Sequence, residues 1–344
     1  MSATNLHTSK GLRKMSSCQR QTHPILPYNQ DRTPVTLLYR HPDFLQHDTG
    51  RHPENAGRLR AIDERLDQSG LPGRCSTPEW APATLQELLR VHTPGHLDAL
   101  DALAHRGGGQ VDSDTVVSPA SMDVARLAAG AATDAVRRVV AGEDRTVLCI
   151  GRPPGHHATA DRAMGFCLLN HAAIAAQAAV AEHGLDRVLI IDWDVHHGNG
   201  TQELFYGASH IGYFSIHRWP FWPGTGAADE TGAGDGLGAT RNLPVEMGES
   251  RDRFLSYFAR ELEAFADQIK PQLVVLSAGF DAHRADPVGS LGLETEDFVS
   301  LTQTVKDVAA AHAGDRLVSL LEGGYNAPVL AECVAVHLEE LLDA

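Results

Sequence analysis

Short apolar runs alternate with longer helical stretches along this chain, and this alternation restricts its fold more than any other feature. The apolar runs are rich in β-branched residues or leucine, which predicts buried strands at residues 35–39, 146–150, 187–192, 211–216, 273–277 and 317–321. The Ala-rich, periodic stretches predict helices around residues 55–68, 95–105, 119–141, 171–183, 250–269, 295–313 and 328–342. This order predicts an α/β fold, with a mostly parallel multi-stranded sheet and helices on both of its faces.

Composition and charge divide the chain into two parts. The 344 residues, 42% of them hydrophobic, are enough for one large core, and we predict a single folded domain over residues 35–344. Residues 1–34 are polar and carry five basic residues against one acidic residue, which predicts a flexible tail. The net charge of the chain is −15, so the remainder is acidic and would repel nucleic acid and attract cationic peptides or amines; the alternative is that the negative charge serves solubility alone.

Cysteine spacing and the apolar segments bear on the cellular compartment. The five cysteines are scattered and form no C-x-x-C pair, which is typical of reduced thiols in a cytoplasmic protein. The chain has no run of about 18 apolar residues. Its N-terminus lacks the apolar segment of a signal peptide. We therefore predict a cytoplasmic protein with neither membranes nor nucleic acid as partners.

Asp194, His196 and Asp281 are candidate ligands of one metal ion. Asp194 and His196 are two residues apart in a segment predicted to be extended, so both side chains should point to the same side. Asp281 would supply the third ligand from the end of a distant strand. Three protein ligands leave positions for water and substrate, as in a catalytic rather than a structural zinc site. These residues follow strand ends, where ligands bind in parallel sheets.

Six motifs occur in a fixed order between about residue 35 and the C-terminus. They are R-P-P-G-H-H (152–157), G-F-C (165–167), D-W-D-V-H-H-G-N-G-T (192–201), P-G-T-G (223–226), A-G-F-D-A-H-R-A-D-P (278–287) and L-E-G-G-Y-N (321–326). Together they resemble the histone deacetylase superfamily, and R-H-P-E-N-A-G-R-L (51–59) resembles its class II branch and bacterial relatives. The resemblance implies an arginase-like α/β fold and a deacetylase catalytic domain that hydrolyses acylated amines, typically acetyl-lysine.

The resemblance also implies a role for each polar residue. His157 would act as general base and acid, and His156 would stabilise developing charge. Asp192 would orient His156, and Asn199 would orient His157. Because Asn199 is neutral, it should raise the pKa of His157 less than an aspartate would, which favours an unprotonated base. Tyr325 would donate a hydrogen bond to the substrate carbonyl.

Specificity is expected to come from a narrow apolar channel that buries the methylenes of an acyl-lysine. Phe166 and Trp222 match channel-wall positions of the family, and Gly165 would leave room beside the ligand. Trp219 and Phe221 are predicted to pack as ordinary aromatic residues.

Two further residues bear on the substrate. Val288 matches a position that is glutamate in polyamine deacetylases and leucine in class II lysine deacetylases, so its apolar side chain favours lysine substrates. Asp114 would accept hydrogen bonds from the substrate backbone at the rim of the channel, the alternative being a solvated acid in a loop.

Zinc is the predicted cofactor. Two oxygen donors and one nitrogen donor also suit Fe²⁺, Mn²⁺ or Co²⁺. The family further binds a monovalent cation behind the metal, and the resemblance implies a potassium site at Asp192, Asp194, His196, Ser215 and Ile216.

These features predict a zinc-dependent hydrolase that removes acetyl or other acyl groups from lysine side chains of proteins or peptides. The alternative is a deacetylase of polyamines or other small acetylated amines. A binding module without turnover would require a lost metal ligand, and none is lost. The sequence leaves the oligomeric state open, a homo-oligomer included.

Overall fold

The computed structural model describes Met1 and residues 36–343, and a parallel sheet forms its centre. The strands are β1 Leu37–Tyr39, β2 Gly109–Gln110, β3 Val116–Val117, β4 Thr146–Cys149, β5 Val188–Asp192, β6 Ile211–Arg218, β7 Thr240–Val245, β8 Leu273–Ala278 and β9 Leu317–Leu321. Seven strands pair in the order β1-β4-β9-β8-β5-β6-β7, every pair parallel, whereas β2 and β3 form a small antiparallel pair. The predicted tail, Met1 aside, lies outside the described residues.

Helices cover both faces of the sheet, as the sequence predicted. They are α1 Gly57–Ser69, α2 Leu85–Leu88, α3 Pro94–His105, α4 Ser121–Val140, α5 His171–His183, α6 Asn199–Phe205, α7 Arg251–Ile269, α8 Asp297–Ala313 and α9 Ala327–Leu342. Successive strand residues point to opposite faces, so Val274 joins the core under α1, α7, α8 and α9, while Val275 joins the core under α3, α4 and α5. Among the described residues no helix is both long and apolar enough to cross a membrane.

Helix α5 illustrates how local sequence fixes an element. The side chain of Asn170 accepts a hydrogen bond from the backbone N–H of Ala173 and caps the first turn. Gly184 follows the last turn with a φ of 65°, a left-handed conformation that glycine adopts without steric cost. The helix therefore has the bounds that the periodic pattern predicted.

The pattern of apolar runs did not predict β7, which forms one edge of the sheet. This strand contains Thr240, Arg241 and Pro244 among its six residues, so it lacks the continuous apolar pattern of the central strands. Proline is compatible with an edge strand because its missing N–H is not needed for a second neighbour. The prediction of six strands was therefore one strand short for this sheet.

The order of the strands brings the chemical motifs together. Strands β5 and β8 are neighbours, and β9 lies beside β8. The loops that leave the carboxyl ends of these parallel strands carry Asp194 and His196, Asp281, and Tyr325, respectively. Residues more than 120 positions apart in the sequence thus meet at one edge of the sheet.

Candidate active site

Asp194, His196 and Asp281 converge in the structure. Their donor atoms all lie within 4.8 Å of one another, and all three residues are buried. The Nδ1 atom of His196 is 3.1 Å from Oδ1 of Asp194 and 3.0 Å from Oδ2 of Asp281. The structure therefore brings together the three predicted ligands.

The local geometry of Asp194 and His196 differs from the predicted extended segment. Both residues lie in a bend beyond the end of β5. In this bend Asp192 Oδ1 accepts the N–H of Asp194 at 3.1 Å, and Asp194 Oδ1 accepts the N–H of His196 at 2.9 Å. The shared orientation of Asp194 and His196 therefore comes from turn hydrogen bonds and not from strand alternation.

The two carboxylates of this cluster also hold neighbouring loops. Asp281 Oδ1 accepts the N–H of Val195 at 2.9 Å, and Asp194 Oδ2 accepts the N–H of Gly323 at 2.9 Å. Burial raises the pKa of Asp281, and the negative charge of Asp194 raises it further. Burial lowers the pKa of His196, but the two carboxylates outweigh burial and raise that pKa to about 10. A protonated His196 therefore balances one of the two buried negative charges, whereas a divalent cation held by all three residues would balance both.

His156 and His157 lie beside this cluster with their ring centroids 3.9 Å apart. Nδ1 of His156 is 3.0 Å from Asp192 Oδ2, and Nδ1 of His157 is 2.8 Å from Asn199 Oδ1. Both predicted orienting partners are therefore in contact with the expected rings. An imidazole that bonds through Nδ1 presents Nε2 to its other side.

The two histidines differ in electrostatic environment. Burial lowers the pKa of His156, but the charges of Asp192, Asp194 and Glu322 outweigh burial and raise that pKa to about 10. Burial lowers the pKa of His157 well below its usual value, and positive charge on His156 and His196 lowers it further. The surroundings therefore favour a cationic His156 beside a neutral His157 that can accept a proton.

Asp286 contacts the backbone of Tyr325, and Arg58 contacts its ring. The backbone N–H of Tyr325 donates to Asp286 Oδ2 at 2.6 Å, and the guanidinium of Arg58 lies 5.1 Å from the centroid of the tyrosine ring. Arg58 also donates to the carbonyl oxygens of Glu322 and Gly324. Burial and the charge of Asp281 raise the pKa of the phenol, which keeps it protonated as a hydrogen-bond donor. Sequence reasoning missed Arg58 and Asp286.

A cavity of about 170 Å³ opens above the cluster and leads to the surface. The five predicted substrate-contact residues all line it, together with His157, His196, Phe221 and Tyr325; the five are Asp114, Gly165, Phe166, Trp222 and Val288. Trp222 is 41% exposed, which places it at the mouth. A Cβ on Gly165 would meet both His157 and Trp222 at 2.5 Å, so glycine is needed for this close packing.

The prediction that Phe221 would pack as an ordinary aromatic residue was wrong. Phe221 lines the cavity, and its ring stacks on His196 with centroids 5.1 Å apart and an interplanar angle of 20°. The guanidinium of Arg218 lies 4.1 Å from the same ring. Nothing in the sequence distinguishes Phe221 from its neighbour Trp219, because which ring turns inward depends on the path of the loop.

The predicted potassium ligands occupy adjacent positions on two strands and the following loop. Asp192 pairs with Ser215 across β5 and β6, and Ile216 follows Ser215. The Ser215 hydroxyl is 2.9 Å from Nδ1 of His217. The potassium site stays a prediction, as do the roles of the metal ligands and catalytic residues.

The chain is similar in sequence to known proteins. A sequence model described as the histone deacetylase domain matches residues 52–341. The chain is 39% identical over 291 residues to the "Histone deacetylase-like amidohydrolase" of Pseudomonas aeruginosa, covering 84% of this chain and 77% of the relative. It is 38% identical over 330 residues to human "Polyamine deacetylase HDAC10", covering 92% of this chain and 48% of that protein.

A solved structure is similar in fold as well as in sequence. The crystal structure of the HDA15 HD domain superposes with a TM-score of 0.84 at 38% identity, covering 90% of this chain and 89% of that chain.

Proposed function

Because the chain belongs to the histone deacetylase family, we propose that it removes acetyl or other acyl groups from lysine side chains of proteins or peptides. One observation carries the proposal. His196 of the donor cluster lines one channel together with His157 and Tyr325, and the donor atoms of Asp194 and Asp281 lie within 4.8 Å of that of His196. That arrangement suits hydrolysis of an amide presented at the end of a long, narrow side chain.

The residues present fit a divalent transition metal. Asp194, His196 and Asp281 offer two oxygen donors and one nitrogen donor, and the unfavourable proximity of the two buried carboxylates favours a bound cation. We propose zinc, with Fe²⁺, Mn²⁺ or Co²⁺ compatible with the same donors. When bound, such an ion supplies Lewis-acid chemistry to the amide carbonyl and to water.

The protein's own groups handle protons and charge. Neutral His157, fixed by Asn199, accepts a proton from the attacking water and later delivers it to the departing amine. Tyr325 donates its hydroxyl hydrogen to the carbonyl oxygen as negative charge develops there. His156, held by Asp192, places positive charge beside the same region. The products are a carboxylate and a free amine.

The channel favours an acyl-lysine. The four methylenes of the lysine side chain would be buried between Phe166 and Trp222. Each buried methylene contributes roughly 0.8 kcal/mol to the free energy of binding. Val288 adds apolar surface where a second substrate cation would need a carboxylate partner. Asp114 lies on the same lining and would accept hydrogen bonds from the peptide backbone at the rim.

A second candidate function is hydrolysis of acetylated polyamines or other small acetylated amines. The similarity to the human polyamine deacetylase and the net charge of −15 favour it. The two functions differ in what the rim must recognise, since a polyamine carries a second cation and no peptide backbone. Val288 is the residue that weighs against polyamines.

A turnover screen distinguishes these functions. The purified protein is assayed on lysine peptides with acyl chains of increasing length and on acetylated polyamines, after chelation and after adding back Zn²⁺, Fe²⁺, Mn²⁺ or Co²⁺. We expect kcat/KM to be highest for a lysine peptide and to require metal. Activity that survives complete metal removal would contradict the proposal, and a higher kcat/KM for acetylspermidine would favour the second candidate.

We further propose a potassium site and a cytoplasmic location. Potassium at the Asp192, Asp194, His196, Ser215 and Ile216 set would stabilise the loop that carries two metal ligands. A cytoplasmic location is supported by the cysteines of the described residues, which are free thiols.

A further inference from the structure

Glu322 carries a buried carboxylate that takes no part in the proposed proton transfers. It directly follows β9 and is 1% exposed. Oε2 accepts the backbone N–H of Gly155 at 2.6 Å and that of His156 at 3.2 Å, while Oε1 accepts the hydroxyl of Ser277 at 3.0 Å. One side chain thus satisfies two buried amides in the turn that carries the tandem histidines.

The backbone of Glu322 connects the same point to the rest of the site. Its N–H donates to the carbonyl of Ala278 at 3.0 Å, and its carbonyl accepts from Arg58. The next residue, Gly323, donates to Asp194, and Tyr325 follows two positions later. Glu322 therefore joins the histidine turn, the end of β8 and the tyrosine segment at one position.

A metal site is the main alternative for this carboxylate. Donor atoms of His156, Cys167 and Glu322 lie within 4.8 Å of one another. However, Nδ1 of His156 already bonds Asp192, and both Glu322 oxygens already accept hydrogen bonds. The set is therefore satisfied within the protein, which favours a positioning role over ligation.

We propose that Glu322 is a positioning residue whose length, and not its charge, fixes the turn of Gly155 and His156 relative to the Tyr325 segment. The inference rests on the proposed function, since it concerns the distance between the base His157 and the phenol. Positioning of this kind matters because residues that support catalytic groups commonly contribute 10- to 100-fold to activity.

Two substitutions separate length from charge. Glu322→Gln keeps the side-chain length and an oxygen for the two amides but removes the charge. Glu322→Asp keeps the charge but is one methylene too short to reach them. We expect the Gln variant to keep kcat within about 3-fold of the wild type, and the Asp variant to lose about 10- to 100-fold in kcat with little change in KM.

Hydrogen exchange gives a readout that does not depend on turnover. Amide exchange in a peptide spanning residues 152–157 should accelerate in Glu322→Asp and stay near the wild-type rate in Glu322→Gln. Glu87→Gln serves as the control for a buried acid, because Glu87 bonds Arg137 in the last turn of α4, at the opposite end of the sheet. It should change neither kcat nor exchange in this peptide.

The outcomes are distinguishable. A larger loss of kcat in Glu322→Gln than in Glu322→Asp would show that charge matters and would overturn the inference, as would unchanged kcat and exchange in both variants. If the wild type fails to turn over any acylated amine, the proposed function fails, and the exchange experiment still decides whether Glu322 holds the turn.

Discussion

Nδ1 of His157 lies 2.8 Å from the side-chain oxygen of Asn199, so the proposed general base is oriented by a neutral partner. The adjacent ring differs, because His156 is bonded to the carboxylate of Asp192. Two neighbouring imidazoles thus receive different partners, and the pKa of His157 is lowered while that of His156 is raised. This asymmetry is the basis for proposing His157, and not His156, as the proton acceptor.

Asn199→Asp should shift the acidic limb of the pH profile of kcat/KM to higher pH. A carboxylate beside His157 raises its pKa, so a larger share of the base is protonated and inactive at a given pH below neutrality. The measurement is kcat/KM from pH 5 to 9 for both proteins. A limb that stays in place or moves to lower pH would argue against His157 as the base.

Tyr325→Phe should lower kcat by about 100- to 1000-fold, because one donor to the developing oxyanion is lost. The phenyl ring retains contact with Phe166, whose ring centroid is 5.5 Å away, and with Arg58. Metal content and thermal stability should therefore stay close to the wild type. Wild-type turnover in this variant would exclude the proposed role of the phenol.

Asp281→Asn should abolish metal binding without loss of fold. The substitution keeps the size of the side chain but removes one charged donor and relieves the repulsion from Asp194. Chelation should lower the melting temperature of the wild type, since a ligand that binds only the folded state stabilises it, and should leave the variant unchanged. Metal analysis of both proteins provides the direct check, and a stoichiometric metal in the variant would remove Asp281 from the ligand set.

The strand-end location of the site was predictable because parallel strands place their carboxyl ends at one edge. Asp194, His196 and Asp281 could therefore be grouped from the sequence alone. Arg58 and Glu322 could not, since Arg58 reaches the carbonyl of Gly324 across 266 positions of sequence. Contacts between side chains and distant backbone leave no periodic pattern in a sequence.

Polarity explains the strand that was missed. Strand β7 pairs only with β6, so its side chains need not be apolar on both faces, and Arg241 is half-buried. The central strands β5 and β8 are fully buried and show continuous apolar runs. The apolar runs therefore identify the buried strands, including the edge strand β1, whereas the polar edge strand β7 is identified only by its pairing with β6.

Val288→Glu should shift substrate preference toward polyamines. The position lines the cavity and is held by the N–H of Val288 donating to Asp286 Oδ1 at 2.9 Å, so a new carboxylate would face the channel. We expect the ratio of kcat/KM for acetylspermidine to that for an acetyl-lysine peptide to rise about 10-fold. This change corresponds to a contribution of about 1.4 kcal/mol from the new charge pair between the introduced carboxylate and the second cation of the substrate. Val288→Leu is the matched control and should leave the ratio near that of the wild type.

His337 should make the fold sensitive to mild acid. Its ring is fully buried between the hydroxyls of Thr302, at 2.7 Å, and Ser319, at 2.9 Å, and burial lowers its pKa to about 3. Below the usual pKa of about 6.5, His337 binds a proton in the unfolded chain but not in the folded chain. The free energy of unfolding therefore falls as pH falls, by about 2 kcal/mol at pH 5.

His337→Gln removes this titration and isolates its effect. At pH 7 the variant should be less stable by about 1 kcal/mol, because amide hydrogen bonds replace those of the ring imperfectly. At pH 5 the difference in the free energy of unfolding should vanish or reverse, since only the wild type has lost stability through this group. Denaturant unfolding of both proteins at the two pH values measures the difference, and a gap that is independent of pH would show that His337 does not stay neutral in the fold.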